Sequence, residues 1–76
     1  MIETVHAKVL EPADGVRTVF TLPSVFLIDT VWVFVGGFKI PKSNSEVSEL
    51  PPDQIEFMTA PQDGILIEVE YQEAPP

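Results

Sequence analysis

The ten residues from Val31 to Ile40, VWVFVGGFKI, place bulky apolar side chains on both faces of one short extended run. Side chains of a strand alternate, so Val31, Val33 and Val35 point one way and Trp32 and Phe34 the other. Gly36-Gly37 has the backbone freedom for a primed turn that reverses the chain into Phe38, Lys39 and Ile40, and Pro41 ends that return. A chain of 76 residues holds one domain. It buries only about 60 to 65% of the surface its unfolded form exposes. The second apolar face therefore needs a cover of its own.

Domains this small usually gain stability from disulfides, a metal or a partner. With no cysteine and one histidine, the first two routes are closed. No cofactor is expected, and a partner chain is the route left. The lack of cysteine suits folding in a reducing cytoplasm. The start of the chain, MIETVHAKVL, has no basic region followed by an apolar run, so no secretory signal is read there. The longest mostly apolar stretch, Val31 to Phe38, is far short of the roughly 20 residues that cross a bilayer as a helix. A soluble protein without a membrane partner is expected.

Helical periodicity is weak, and period-two runs rich in β-branched and aromatic residues are cut at short intervals by Gly, Pro and Asp. The pattern predicts a single all-β domain over residues 1–76: a small antiparallel β-sandwich or open barrel of about five to six short strands. The first strand runs from Glu3 to Leu10, with Val5, Ala7 and Val9 on one face. EPADGV turns the chain into a second strand, Arg17 to Leu22, which stops at Pro23. PSVFLID is read as a packed crossover, and the third strand is Thr30 to Val35. From Lys42 to Asp53, KSNSEVSELPPD reads as an acidic surface loop without core residues of its own. Ile55 to Met58 is the next strand, and TAPQDG turns the chain again. The last strand, Ile65 to Tyr71, alternates most cleanly, with Ile65, Ile67, Val69 and Tyr71 on one face and Glu68 and Glu70 on the other. The tail over 72–76 is expected to fray at its prolines.

The net charge of −8 is unevenly spread. Residues 1–42 hold four acids and four bases, whereas residues 43–76 hold eight acids and no base. Phosphate binding needs clustered Lys and Arg, so nucleic acid is excluded as a partner. The acidic half serves as a solubilising surface or as a patch that meets a basic partner.

In order and spacing, DGVRTVFTLP, VWVFVGGFKI and IEFMTAPQDGILIEVEY resemble a small β module that recurs in tailed-bacteriophage virion proteins, in tail fibres and other head or tail appendages. The likeness spans Ala13 to Tyr71. Asp14-Gly15 stands at the module's first turn, Phe20, Leu22 and Pro23 at its F-T-L-P strand end, and Gly37 at its hairpin glycine. Thr59, Ala60 and Pro61 match its T-x-A-P turn, and Gly64 its following glycine. Two departures stand out: Gly36 replaces the Asn often found before the hairpin glycine, and the 42–53 segment is longer and more acidic than usual. The resemblance implies a virion component, made in the host cytoplasm, that works by assembly and carries no catalytic residues.

The residues themselves point the same way. His6 is the sole imidazole, and Ser24, Ser43, Ser45 and Ser48 lie in connections without a nucleophile-elbow context, so no triad is expected. Glu68 and Glu70 lie about 7 Å apart along one strand face and have no apolar pocket to tune them as a glycosidase pair. No Asp-x-Asp-x-Asp-Gly loop holds calcium, and Gly36-Gly37 has no helix behind it to make a phosphate cradle. An enzyme is not expected.

The excess apolar surface is read as assembly surface, with Val31, Trp32, Val33, Phe34, Val35, Phe38, Phe26 and Leu27 as the candidate interface. Its partners are other virion proteins and copies of this chain. Of the two faces of the third strand, Trp32 and Phe34 are expected to fill the core. The valine face is then covered by the crossover or by a partner. A decoration, neck or tail accessory subunit fits this reading. Two rivals remain: an acidic mimic of DNA that inhibits a host DNA-binding protein, and a glycan-binding receptor module with Trp32 as its platform.

Overall fold

The structure is a computed structural model that describes residues 4–41 and 46–75. Seven short strands form two antiparallel sheets: β1 Thr4–Lys8, β2 Val19–Thr21, β3 Trp32–Val35, β4 Phe38–Lys39, β5 Val47–Leu50, β6 Gln54–Phe57 and β7 Ile67–Gln72. One sheet has the order β1-β7-β3-β4 and the other β2-β6-β5. The fold is all-β, a small sandwich, with no helix among the described residues.

Turn chemistry sets the reversals. Gly36 and Gly37 take φ values of +57° and +88°, the two left-handed positions of a type I′ hairpin, and bring Phe38 opposite Val35. At one end of the sandwich the two Asp-Gly turns meet, where Gly64 N donates to Ala13 O at 2.9 Å. Asp14 Oδ1 accepts from Val16 N and Arg17 N at 2.9 and 2.7 Å. These two N–H donors hold the Asp14 carboxyl below its usual value.

Between the sheets lie Phe20, Leu22, Ile55, Val69 and Tyr71, all essentially inaccessible, with Phe26, Val31, Val33, Phe57 and Ile67 around them. Phe20 and Phe57 meet edge to face at 5.5 Å, and Phe26 and Tyr71 do so at 6.5 Å. Tyr71 Oη, buried with its ring, shares a 2.6 Å hydrogen bond with Ser24 Oγ, so the phenol keeps its polar partner inside the core. The alternation of the last strand holds as expected: Ile67, Val69 and Tyr71 face inward and Glu68 and Glu70 outward.

On one side the two sheets are joined. Leu10 N donates to Thr21 O at 2.9 Å, and Glu11 grips Thr21 with both carboxylate oxygens: Oε1 accepts Thr21 N and Oε2 accepts Thr21 Oγ1, each at 2.7 Å. Burial pushes the Glu11 carboxyl up, but the two Thr21 bonds outweigh it and leave it lowered. The opposite side, between β3-β4 and β5, is where the sandwich opens.

Three expectations are corrected. The face of β3 is reversed: Val31 and Val33 are buried in the core, whereas Trp32 and Phe34 lie on the outer face, half-buried. Val31 and Val33 join a core whose aromatic volume, from Phe20, Phe26, Phe57 and Tyr71, comes from other elements. Second, the 42–53 loop contains β5, whose Val47 packs against the core beside β6; residues 42–45 fall outside the described segments. Third, the tail is tied down as far as Ala74. Gln72 completes β7, Glu73 bridges to Phe26, Gln72 O accepts Leu27 N at 2.9 Å, and Ala74 N donates to Val25 O at 2.8 Å.

Candidate functional site

The outer face of the four-stranded sheet collects the chain's most distinctive side chains. Strand register sets them in two rows across the sheet: Lys39, Phe34, Glu68 and Lys8 in one, and Trp32, Glu70 and His6 in the other. The columns differ in chemistry, with Lys39 on β4, aromatic rings on β3, carboxylates on β7 and His6 with Lys8 on β1.

These groups make contacts within the face. Lys39 Nζ sits 3.9 Å from the centre of the Trp32 ring and 6.0 Å from that of Phe34, a cation–π pairing that covers one side of the indole. The His6 ring stacks on Phe34 with centroids 5.6 Å apart. Its two nitrogens face different acids: Nε2 lies 3.5 Å from Glu68 Oε2 and Nδ1 lies 3.5 Å from Glu70 Oε2. With a side chain 51% exposed, His6 belongs to a wet surface. It lies on the sheet face opposite the Ser24–Tyr71 pair, so the sheet separates that imidazole from that hydroxyl. Among the described residues no group of three or more His, Asp and Glu is placed to hold a metal ion.

Phe38 forms a second feature. It is paired with Val35 on the core side of the sheet, yet β4 is an edge strand, and the ring is 78% exposed. An exposed phenylalanine on a hairpin edge is a contact in waiting.

The open side of the sandwich is a third. A cleft of about 380 Å³ is lined by Ile28, Asp29, Val31, Val47, Glu49 and Pro51. It adjoins a small apolar pocket of about 30 Å³ against Val33, Ile40 and Ile55. Glu49 anchors this side: its Oε1 accepts Asp29 N at 2.7 Å and its Oε2 accepts Val31 N at 3.1 Å. Asp29 itself takes a positive φ of +69°, a conformation that Asp tolerates better than most residues.

Of the residues expected at an interface, Phe38 is exposed, and Leu27, Trp32, Phe34 and Val35 are half-buried. Phe26, Val31 and Val33 are buried. At 3, 5 and 4% exposed they belong to the core, because the second sheet rather than another chain covers the valine face of β3. The acids of the C-terminal half are dispersed. Glu68 and Glu70 lie on one outer face, Glu56 is exposed on the other sheet, and Glu49 is turned onto the main chain of residues 29–31. The signal for Glu49 was present in the sequence as an acid at an inward position beside Val47, but its partners are 18 and 20 residues away. No helix of the described residues is long and apolar enough to cross a membrane. No family model, curated protein or solved structure matches the chain.

Proposed function

We propose that the chain is a structural subunit of a bacteriophage particle, of the decoration, neck or tail accessory kind, acting by protein–protein assembly without catalysis. The observation that carries this reading is the set of aromatic side chains on β3 and β4 that the core does not take up. Trp32 and Phe34 lie half-buried on an outer sheet face and Phe38 is exposed at the edge of the same sheet, on its other face; none of the three belongs to the core cluster. Fully burying one such ring contributes on the order of 1.5 to 3 kcal/mol, and aromatic anchors of this kind dominate assembly interfaces. The resemblance to the virion β module supports the particle context.

Two observations favour assembly over its rivals. The acids are spread over several faces instead of forming one continuous DNA-like surface. Lys39 already occupies one side of the Trp32 ring, which a stacked sugar would need. The test is a mass-spectrometric inventory of purified particles together with a Trp32→Ala variant. The chain is expected among the particle proteins and the variant is expected to be depleted from them. Absence of the chain from particles would overturn the proposal.

A further inference from the structure

Two Asp-Gly pairs, Asp14-Gly15 and Asp63-Gly64, lie together at one end of the sandwich, and their glycines have φ values of +84° and +79°. Asp-Gly is the dipeptide most open to one covalent change. The main-chain nitrogen of the glycine attacks the side-chain carboxyl carbon of the aspartate. The carboxyl hydroxyl and the hydrogen of that nitrogen leave as water, and a five-membered succinimide closes. Glycine favours the closure because no side chain crowds its nitrogen. Water then reopens the ring. Opening at the main-chain carbonyl carries the chain through the side-chain carbon and leaves isoaspartate, so one water is lost, one is regained and the mass is unchanged.

The two pairs differ in which reacting group the fold holds. At Asp14 it is the carboxyl, whose Oδ1 accepts Val16 N at 2.9 Å and Arg17 N at 2.7 Å. These donors favour the charged carboxylate, which has no hydroxyl to lose. Both bonds are local, so they re-form whenever the turn does.

Asp63 is exposed, and no described residue donates to its carboxyl. There the fold holds the nitrogen instead, through the single 2.9 Å bond from Gly64 N to Ala13 O. That acceptor belongs to the other turn, so the bond lasts only while the two turns stay docked. Their contact is slight: a methyl group placed on Gly15 would touch Asp63 Cβ at 3.7 Å. Neither turn belongs to a strand ladder, so opening here leaves both sheets paired.

From this asymmetry we propose that Asp63 is a site of spontaneous modification in the folded protein, converting through the succinimide to isoaspartate, and that Asp14, with the same glycine neighbour, is spared. The added main-chain carbon lengthens the turn that Ile65 N closes onto Gln62 O at 3.1 Å. Gly64 N is thereby displaced from Ala13 O, and the two turns come apart.

Ageing of the folded wild-type chain in mildly acidic buffer tests this. Trypsin, cutting after Lys8, Arg17 and Lys42, places the two aspartates in separate peptides, 9–17 and 43–76. Isoaspartate in each is counted with an isoaspartyl methyltransferase and placed by electron-transfer fragmentation. In the folded chain, isoaspartate at position 63 is expected to build up at least about tenfold faster than at position 14, the factor that one bond to a charged group supplies. In concentrated urea, where neither restraint survives, the two rates are expected to converge. Conversion at Asp14 as fast as at Asp63 in the folded chain would overturn the proposal. So would no conversion at Asp63 over a period that converts the unfolded chain, or the same preference for Asp63 in urea as in buffer. In the isoaspartate form the Gly64 amide is expected to lose its protection from hydrogen exchange, and unchanged protection would overturn the parting of the turns.

Discussion

Glu49 is the residue whose removal most directly tests how the open side of the sandwich is held. Its carboxylate accepts Val31 N at 3.1 Å and Asp29 N at 2.7 Å. A bond to a charged acceptor contributes about 1.5 to 3 kcal/mol, but the two donors differ in what they do when the acceptor goes. Asp29 is exposed, so its N–H turns to water at little cost, whereas Val31 is 5% exposed and its part-buried N–H is less readily rehydrated when the acceptor goes. The Val31 bond therefore decides the magnitude, and Glu49→Ala is expected to destabilise the fold by about 2 kcal/mol. Glu49→Gln keeps one carbonyl oxygen, enough for one of the two donors, and is expected to cost about half as much. In urea, with a slope near 1 kcal/mol/M for a chain of this size, the alanine variant should lose about 2 M in its midpoint. In thermal unfolding it should lose about 8 to 16 °C. An alanine variant within about 0.5 kcal/mol of wild type, or a glutamine variant as damaging as alanine, would refute the reasoning.

Further outcomes follow from the same structure. Glu11 has a folded-state carboxyl below the usual 4.5 because Thr21 donates to both of its oxygens. The stability it adds over Glu11→Gln is therefore fully present above that usual value and lost as pH falls through the lowered one, which denaturation of both proteins across acid pH will show. Val33→Asp, with the carboxylate among core residues, should abolish cooperative unfolding, while Trp32→Ala on the outer face should leave a folded domain by circular dichroism. Deleting Val47 to Leu50 should remove the cover of Phe57 and Ile55 and with it the native melting transition; an unchanged melt would contradict the role given to β5.

Much of the fold was legible because most of its strands report their own burial. Ile67, Val69 and Tyr71 alternate with two glutamates, and Phe20 and Leu22 share a face that ends at Pro23. The two Asp-Gly pairs and Gly36-Gly37 announce turns that the backbone then makes with positive φ at each glycine. What stayed hidden is non-local. β5 reads as a loop because Glu49 stands at an inward position, and only its bonds to residues 29 and 31 make that placement favourable. The tail reads as free because its anchors are Val25, Phe26 and Leu27, nearly 50 residues earlier. The faces of β3 could not be told apart from within the strand, since both are apolar. The core's aromatic volume comes instead from Phe20, Phe26, Phe57 and Tyr71, elsewhere in the chain. Of the candidate surface, Phe38 is exposed as expected, Trp32 and Phe34 face outward where the core was expected, and Phe26, Val31 and Val33 are core.

The antiparallel pairing of β1 with β7 places Thr4 opposite Gln72, so the first and last strands meet at one corner of the sheet. A longer polypeptide could enter and leave this fold through a single point, so that the domain can hang from a backbone of other domains as a side bead without interrupting its path. The same geometry sets the response to load. Tension applied at the two ends peels the bonds of residues 72–74 to residues 25–27 and opens the β1–β7 ladder one bonded pair at a time from the Thr4 end, instead of shearing all of its bonds at once. A domain suspended in this way is mechanically soft, and any load-bearing role must run through its faces and edges.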